Sequence, residues 1–230
     1  DAAVYGNTSV TLRNHASVND VYMAGYGKGS DVKGDALLTI EDASVNVAGT
    51  LHGQGYNSTT RSSTLAFGTK DKAYTGDFKG KFVDFDEVSA SDGSKVNLGT
   101  INSANRAPSR SEVNQESWLK FAGNGEFKAN LDLASQNNVW INSKFQADSV
   151  KLDNAQLTIG TGTLNAGTIA LGENSVITVK DGGTLSTVSG QIFKKALDDK
   201  GAGDKVEGLL WDNSIVFKTN STLTLNDKAY

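Results

Sequence analysis

Hydrophobic and polar residues alternate in short runs between residues 147 and 185. There are five such runs, at 150–152, 156–159, 168–171, 176–179 and 184–186, and in the first four of them apolar residues lie two positions apart. This spacing places apolar side chains on one face of a strand, so each run predicts a short β-strand with a buried face. Val176 and Val179 are both predicted to point inward. Gly, Asn, Asp or Ser separate the runs, and these residues favour turns.

The same unit recurs along the chain. The segment that begins at Ser149 is similar to one that begins at Ser175, 26 residues later, and to a third that begins at Ser214. Repeats of 20 to 50 residues indicate a solenoid. Because these units are short strands joined by turns, we predict an all-β protein, a right-handed parallel β-helix of about seven to nine coils.

The N-terminal part repeats as well. Residues 10–19 match residues 38–46, with one residue fewer in the second copy. A single coil cannot bury its apolar face, so we expect neighbouring coils to stack. The predicted inward residues are Val10, Leu12, Val18 and Val21 in the first coil and Leu38, Ile40, Val45 and Val47 in the next.

Three segments interrupt the pattern. Residues 53–80 are polar and glycine-rich, with 65–67 as their one clear strand, and residues 102–117 contain the only proline. We predict that the first is a long loop inserted into the β-helix and that the second is another loop insertion or a frayed helical turn. Residues 191–200 have apolar side chains at helical spacing, which predicts a short inserted helix. Residues 1–230 are interpreted as a single β-helix domain, and we expect it to be a fragment of a longer chain.

Composition excludes several classes of function. The chain has no Cys, which excludes a disulfide scaffold and a thiolate metal site. Its net charge is −4 and its Lys and Arg residues are scattered, so no basic surface for nucleic acid is predicted. No apolar run approaches the length of a membrane-spanning helix. We predict no cofactor and no bound metal.

The sequence contains no convincing catalytic set. The Gly-x-Ser-x-Gly motif of serine hydrolases is missing. His15 and His52 occupy non-equivalent places in neighbouring repeats, and both are interpreted as exposed turn residues. Asp84 and Asp86 are predicted to share the outward, solvated face of a strand, with Phe85 pointing inward. The sequence therefore predicts a protein that is not an enzyme.

Aromatic residues near flexible glycines are the strongest binding candidates. Such residues on loops suit stacking on sugars or contact with protein. The candidate contact residues are Tyr22, Tyr26, Tyr56, Arg61, Tyr74 and Asp77. Trp118 and Trp140 are interpreted as half-buried strand residues. The tripeptide Lys33-Gly34-Asp35 occurs in some integrin ligands, but it is interpreted here as a turn before a strand.

Three segments resemble the passenger domains of autotransporters, surface proteins that Gram-negative bacteria secrete by the type V route. They are GDALLTIEDASV at 34–45, FVDFDEVSASDGSKVNLG at 82–99 and LNAGTIALGENSVITVKDGGTL at 164–185. The resemblance implies a right-handed β-helix exported to the cell surface through a C-terminal β-barrel outside this sequence. It also implies adhesion or self-association, with a host surface protein, a glycan or other copies of the passenger as partner.

Two other functions remain open at this point. A polysaccharide-binding or polysaccharide-cleaving β-helix, like a lyase or a phage tailspike, needs carboxylates and a basic residue converging on adjacent coils. The third alternative is an inert spacer that holds another effector domain away from the cell. The full-length gene would distinguish adhesin from tailspike, because the former predicts a C-terminal barrel and the latter a trimeric tail assembly.

Overall fold

The computed structural model describes residues 2–27, 30–55, 60–108, 117–180 and 182–187, together with four short strands between residues 210 and 229. This part of the chain is all-β, and most of its strand pairs are parallel. Its one helical element is a 3-10 turn at Ser103–Asn105. The helix predicted at 191–200 lies outside the described residues. The predicted all-β class and parallel pairing are therefore confirmed.

The chain divides into two compact units. The first unit contains Asp1–Gly99 and Ala104–Glu126, and the second contains Thr100–Ser103 and Phe127–Tyr230. The strands up to β14 are β1 Ala2–Val4, β2 Thr8–Leu12, β3 Ser17–Val18, β4 Val21–Tyr22, β5 Ser30–Val32, β6 Asp35–Ile40, β7 Asn46–Val47, β8 Thr50–His52, β9 Ser62–Phe67, β10 Thr75–Asp77, β11 Lys81–Val83, β12 Glu87–Ala90, β13 Lys95–Ile101 and β14 Trp118–Ala122. The later strands are β15 Glu126–Ala134, β16 Asn138–Ile141, β17 Lys144–Asp153, β18 Gln156–Ile159, β19 Thr163–Leu171, β20 Val176–Val179, β21 Thr184–Thr187, β22 Leu210–Trp211, β23 Ile215–Val216, β24 Thr222–Leu225 and β25 Lys228–Ala229.

The main sheet of the first unit contains β2, β6, β9, β12 and β14 in that order, all parallel. Alternating residues of these strands form columns of paired side chains. One column runs from Val10 through Leu38, Leu65 and Val88 to Phe121. The last four of these side chains are completely buried, whereas Val10 on the edge strand is 36% exposed. The column is the apolar core of this sheet.

The pairing of the two N-terminal repeats changes at a corner. Their first strands pair as predicted, but Val18 then pairs with Val47 and not with its sequence match Val45. The second copy therefore has one residue more before this pair, not one fewer. At its corner the Asp42 carboxylate accepts the backbone N–H of Ser44 at 2.9 Å. A turn capped by a side chain can hold one residue more than the equivalent turn of the first repeat, while the strands on either side keep their alternating pattern.

The second unit also contains parallel sheets. Its strands β16, β18, β20 and β24 form one sheet, with β25 antiparallel at its end, and β17 pairs with β19, which also pairs with β21 and β23. Val139 pairs with Leu157, and Leu157 pairs with Ile177. All three side chains are completely buried. This sheet is built on the same principle of an apolar column.

The 26-residue repeat proposed for this region is wrong. Val139 pairs with Leu157, Val150 with Ile169 and Gln156 with Val176, so from β16 to β20 the chain returns to the same sheet after 18 to 20 residues. By sequence, the segment from Ser175 matches β17, which contains Ser149. In the structure its strand β20 pairs with β18, the next strand along the chain. Val176 is half-exposed, whereas Val179 is 1% exposed. Strand residues three positions apart face opposite sides, so the two valines cannot both point inward.

The loop predicted over residues 53–80 is shorter than expected. Its middle is β9, which lies between β6 and β12 in the main sheet, and β10 pairs with β13 near its end. Ser63, Leu65 and Phe67 of β9 are completely buried. Of the second predicted loop, 102–117, residues 102–108 contain the 3-10 turn, and residues 109–116 lie outside the described part.

Candidate functional site

A small parallel sheet of the first unit, formed by β4, β8 and β11, carries the candidate site. Tyr22, His52 and Val83 pair in one row of this sheet and are half-exposed. The neighbouring row includes Leu51 and Phe82, which are 0% and 3% exposed. Alternation therefore turns the Tyr22 row toward solvent while the other row fills the core.

Three ring side chains meet on this outer row. The rings of Tyr22 and His52 are stacked, with centroids 4.2 Å apart and planes 6° from parallel. Tyr26 packs on Tyr22 at 4.7 Å with a 53° tilt, and it remains 75% exposed. Paired residues on adjacent strands lie ~4.8 Å apart, so the strand register itself brings two planar side chains to stacking distance. Burial, and secondarily the carboxylate of Asp20, raise the pKa of Tyr22.

A charged pair lies where β11 ends. Asp84 follows the strand in the left-handed conformation, with a φ of 60°. Its backbone N–H donates to the carbonyl of Arg106 at 3.0 Å, and its own carbonyl accepts the hydroxyl of Ser63 at 3.0 Å. The Arg106 Nε atom lies 3.9 Å from Asp84 Oδ1. Aspartate is one of the few residues that adopt this conformation readily, and the two hydrogen bonds hold it there.

The carboxylate of Asp84 is electrostatically connected to the ring cluster. Burial raises its pKa, while the guanidinium of Arg106 and, after it, the imidazole of His52 act in the opposite direction. Gly53, which follows His52, donates its N–H to the carbonyl of Val83 at 3.0 Å. A Cβ atom at Gly53 would overlap the backbone of Asp84, so the glycine permits this close approach.

We call this set of five residues the aromatic face: Tyr22, Tyr26, His52, Asp84 and Arg106. It joins an exposed aromatic ring with hydroxyl and imidazole groups, a half-buried carboxylate and a guanidinium. Perturbed ionisable groups and a residue with positive φ are features that cluster at functional sites. The arrangement can hold a ligand by stacking and by charge-assisted hydrogen bonds.

The structure brings Tyr22 and Tyr26 together, but it separates the other predicted contact residues from them. Tyr74 is 2% exposed, packs edge-on against Phe67 and donates its hydroxyl to the carbonyl of Asp77 at 3.2 Å. Burial raises the pKa of Tyr74 to about 12. Its prediction as a surface contact is therefore wrong, because a large apolar ring gains more from the core than from the surface. Tyr56 lies outside the described residues.

Arg61 and Asp77 are exposed but already have partners. Arg61 Nε donates to Asp35 at 2.8 Å, and Ser62 Oγ donates to the same carboxylate at 2.8 Å. These bonds lower the pKa of Asp35 to about 2. Asp77 accepts a hydrogen bond from the side-chain amide of Asn97 at 2.8 Å. Asp35 is thus tied to its own chain, which supports the interpretation of Lys33-Gly34-Asp35 as a turn.

The paired-acid prediction is wrong in part. Asp84 and Asp86 do not lie on one strand, because β11 ends at Val83 and β12 begins at Glu87. Asp86 instead accepts the backbone N–H of Ser63 at 2.7 Å. Phe85 between them is completely buried, as predicted.

The remaining aromatic predictions are mostly confirmed. Trp118 and Trp140 are half-exposed strand residues, and Trp140 Nε1 donates to Asn142 at 2.9 Å. His15 is exposed in a turn, as expected. His52 is not, because it ends a strand and stacks on Tyr22.

Sequence reasoning does not place three members of the aromatic face in a binding site, since His52 is interpreted as a turn residue, Asp84 as part of a solvated strand face, and Arg106 is not among the candidate residues. The pairing of His52 with Tyr22 becomes visible only when two extra residues of the second repeat are counted, one at the corner near Asp42 and one between β7 and β8. The segment around Arg106 has no apolar pattern that could have located it.

No group of three or more His, Asp or Glu side chains within the described ranges could hold a metal ion. In the same ranges, no helix is long and apolar enough to cross a membrane. Comparison of the chain with family models, curated proteins and solved structures found no match.

Proposed function

We propose that this chain is an adhesion and self-association module, the right-handed β-helical passenger of an autotransporter on the surface of a Gram-negative bacterium. Parallel strands with buried apolar columns in each unit support the β-helix. The observation that carries the function is the aromatic face, where Tyr26 is exposed although it packs on a stacked pair. Exposed, pre-positioned aromatic residues are typical of binding surfaces.

Outward rows of polar side chains supply a second, weaker kind of contact. In the second unit Gln146 pairs with Asn165, and Asn165 pairs with Ser186, and all three are exposed. In the first unit the row is Thr64, Glu87 and Lys120. Such rows present hydrogen-bonding groups at the ~4.8 Å strand spacing, which suits many weak contacts with another passenger or a glycan.

Cell adhesion tests this proposal. The full protein is displayed on a non-adherent bacterium, and clumping and attachment to host cells are measured. The double variant Tyr22→Ala/Tyr26→Ala should reduce both at equal surface abundance. Tyr5→Ala is the matched control, because Tyr5 is 82% exposed and lies outside the aromatic face. If the parent cells neither clump nor attach, the adhesive function is wrong, and full adhesion by the double variant removes the aromatic face from it.

A polysaccharide-cleaving function is the second candidate. It is favoured by the proximity of Asp84, which follows β11, to Arg106 and to His52 of the adjacent strand β8, since a carboxylate with a raised pKa can transfer protons. Cleavage would release new reducing ends from a polysaccharide, and Asp84→Asn would abolish that release. The adhesive proposal predicts no release by the parent protein.

A further inference from the structure

The chemistry of the aromatic face identifies a ligand class. We propose that this face binds a neutral pyranose unit of a glycan, with Tyr26 as the ring on which the sugar stacks. The inference rests on the proposed adhesive function and specifies its partner.

Tyr26 meets the requirement for stacking. One face of a pyranose is a patch of C–H groups, which packs on an aromatic ring as an apolar surface does. Tyr26 is 75% exposed, so its ring is open to such a contact. Tyr22 packs on it at 4.7 Å and is itself stacked on His52 at 4.2 Å. Because the ring is held in place before binding, little side-chain entropy is lost when the sugar arrives.

Asp84 and Arg106 meet the requirement for hydrogen bonds. Adjacent sugar hydroxyls need an acceptor and a donor close together, and a carboxylate beside a guanidinium supplies both. Arg106 Nε is 3.9 Å from Asp84 Oδ1, and the two side chains are 62% and 24% exposed. The Tyr22 hydroxyl and the His52 ring nitrogens add further polar groups. The set therefore combines one stacking ring with several hydrogen-bonding groups.

The length of the face fits more than one sugar unit. Tyr22, His52 and Asp84 belong to three successive passes of the chain, and Arg106 accepts the Asp84 N–H from a fourth. Three strand spacings of ~4.8 Å give a length of ~14 Å. A short linear oligosaccharide can lie along such a row.

The charges favour a neutral sugar over an acidic one. Among the residues that the structure describes, Asp20 and Asp84 contribute two carboxylates near the rings and Arg106 contributes one guanidinium. A uronic or sialic acid would bring a third negative charge to this surface. Repulsion between like charges disfavours the acidic ligand.

The test measures sugar binding directly. The 230-residue chain is titrated by calorimetry and saturation-transfer NMR with neutral trisaccharides of gluco, galacto and manno configuration and with uronate-containing trisaccharides. We expect at least one neutral trisaccharide to bind and the uronates to bind more weakly. Tyr26→Ala should weaken binding about tenfold, and Arg106→Gln should weaken it as well, whereas the control Tyr5→Ala should not.

The outcomes separate this inference from the adhesive function. Binding of no neutral sugar, a preference for uronates, or full binding by Tyr26→Ala would overturn the glycan inference. If cells still adhere through the aromatic face without sugar binding, the adhesive function stands and its partner is a protein. If the sugar binds but cells do not adhere, the glycan site stands and the adhesive function fails.

Discussion

Truncating one side chain of the buried column tests the packing that supports the whole first unit. Leu65 is completely buried, and its pairing partners Leu38 and Val88 are also completely buried. Leu→Ala changes in cores cost about 2–5 kcal/mol, more where neighbours cannot move into the cavity. Both neighbouring strands are fixed by backbone hydrogen bonds, so we expect Leu65→Ala to cost about 3–4 kcal/mol.

The assay is urea unfolding followed by far-ultraviolet circular dichroism. With a slope of about 2 kcal/mol per molar urea, the midpoint should fall by about 1.5–2 M. Thr64→Ala is the matched control, because Thr64 is the half-exposed preceding residue of the same strand. Its cost should stay below about 1 kcal/mol. A loss under 1 kcal/mol for Leu65→Ala, or equal losses for both variants, would refute the assignment of this column to the core.

Three further predictions concern single groups. Asp35 should titrate near pH 2, and Arg61→Ala should move the midpoint of that titration toward ~4, as measured by carboxyl NMR. Because the pKa of Asp35 is lowered in the folded state, its stabilising contribution is present above pH ~4 and is lost as the pH falls toward 2. Tyr74 should ionise only near pH 12, and Tyr74→Phe should remove this ionisation from an ultraviolet titration. Because the pKa of Tyr74 is raised in the folded state, its contribution to stability is complete below pH ~10 and is lost between pH ~10 and 12. Gly68→Ala should destabilise the fold more than Gly99→Ala. Both glycines have positive φ (74° and 70°), which alone costs an alanine ~1–2 kcal/mol, but a Cβ atom at Gly68 also overlaps two serine hydroxyls. Equal losses of unfolding free energy would contradict the close packing at Gly68.

Much of the fold could be predicted from apolar alternation. The pairs Val10–Leu38 and Leu12–Ile40 form as the repeats indicate, because the two strands carry apolar residues at the same register positions. This signal depends only on the period of two in a strand. It is therefore strong wherever the inward residues are apolar.

The pattern failed where an inward residue is polar. Ser63 begins the buried row of β9, and it is completely buried because its hydroxyl bonds to the backbone of Asp84 and its N–H bonds to Asp86. In the sequence, a serine at this position is typical of a loop. A buried polar residue with partners is stable, but its partners lie more than 20 residues away and no local pattern reveals them.

The aromatic face was half predictable. Tyr22 and Tyr26 were identified from their composition and glycine-rich surroundings, which are local properties. The position of His52 depends on one extra residue at the corner near Asp42 and a second between β7 and β8, and that of Arg106 depends on the backbone contact with Asp84. These contacts between residues far apart in sequence determine which side chains meet, and local patterns in a single sequence do not reveal them.

Disulfide trapping tests the parallel, in-register stacking most directly. The chain has no native Cys, so introduced pairs are unambiguous. Thr64 and Glu87 pair in register and are both half-exposed, and neighbouring strand positions lie within the Cα separation that a disulfide needs. Under mild oxidation, Thr64→Cys/Glu87→Cys should link the tryptic peptides 62–70 and 82–95, as detected by mass spectrometry. The control Thr64→Cys/Ser89→Cys, two positions out of register, should link poorly, and a control that links as well as the in-register pair, or better, would contradict the stacked fold.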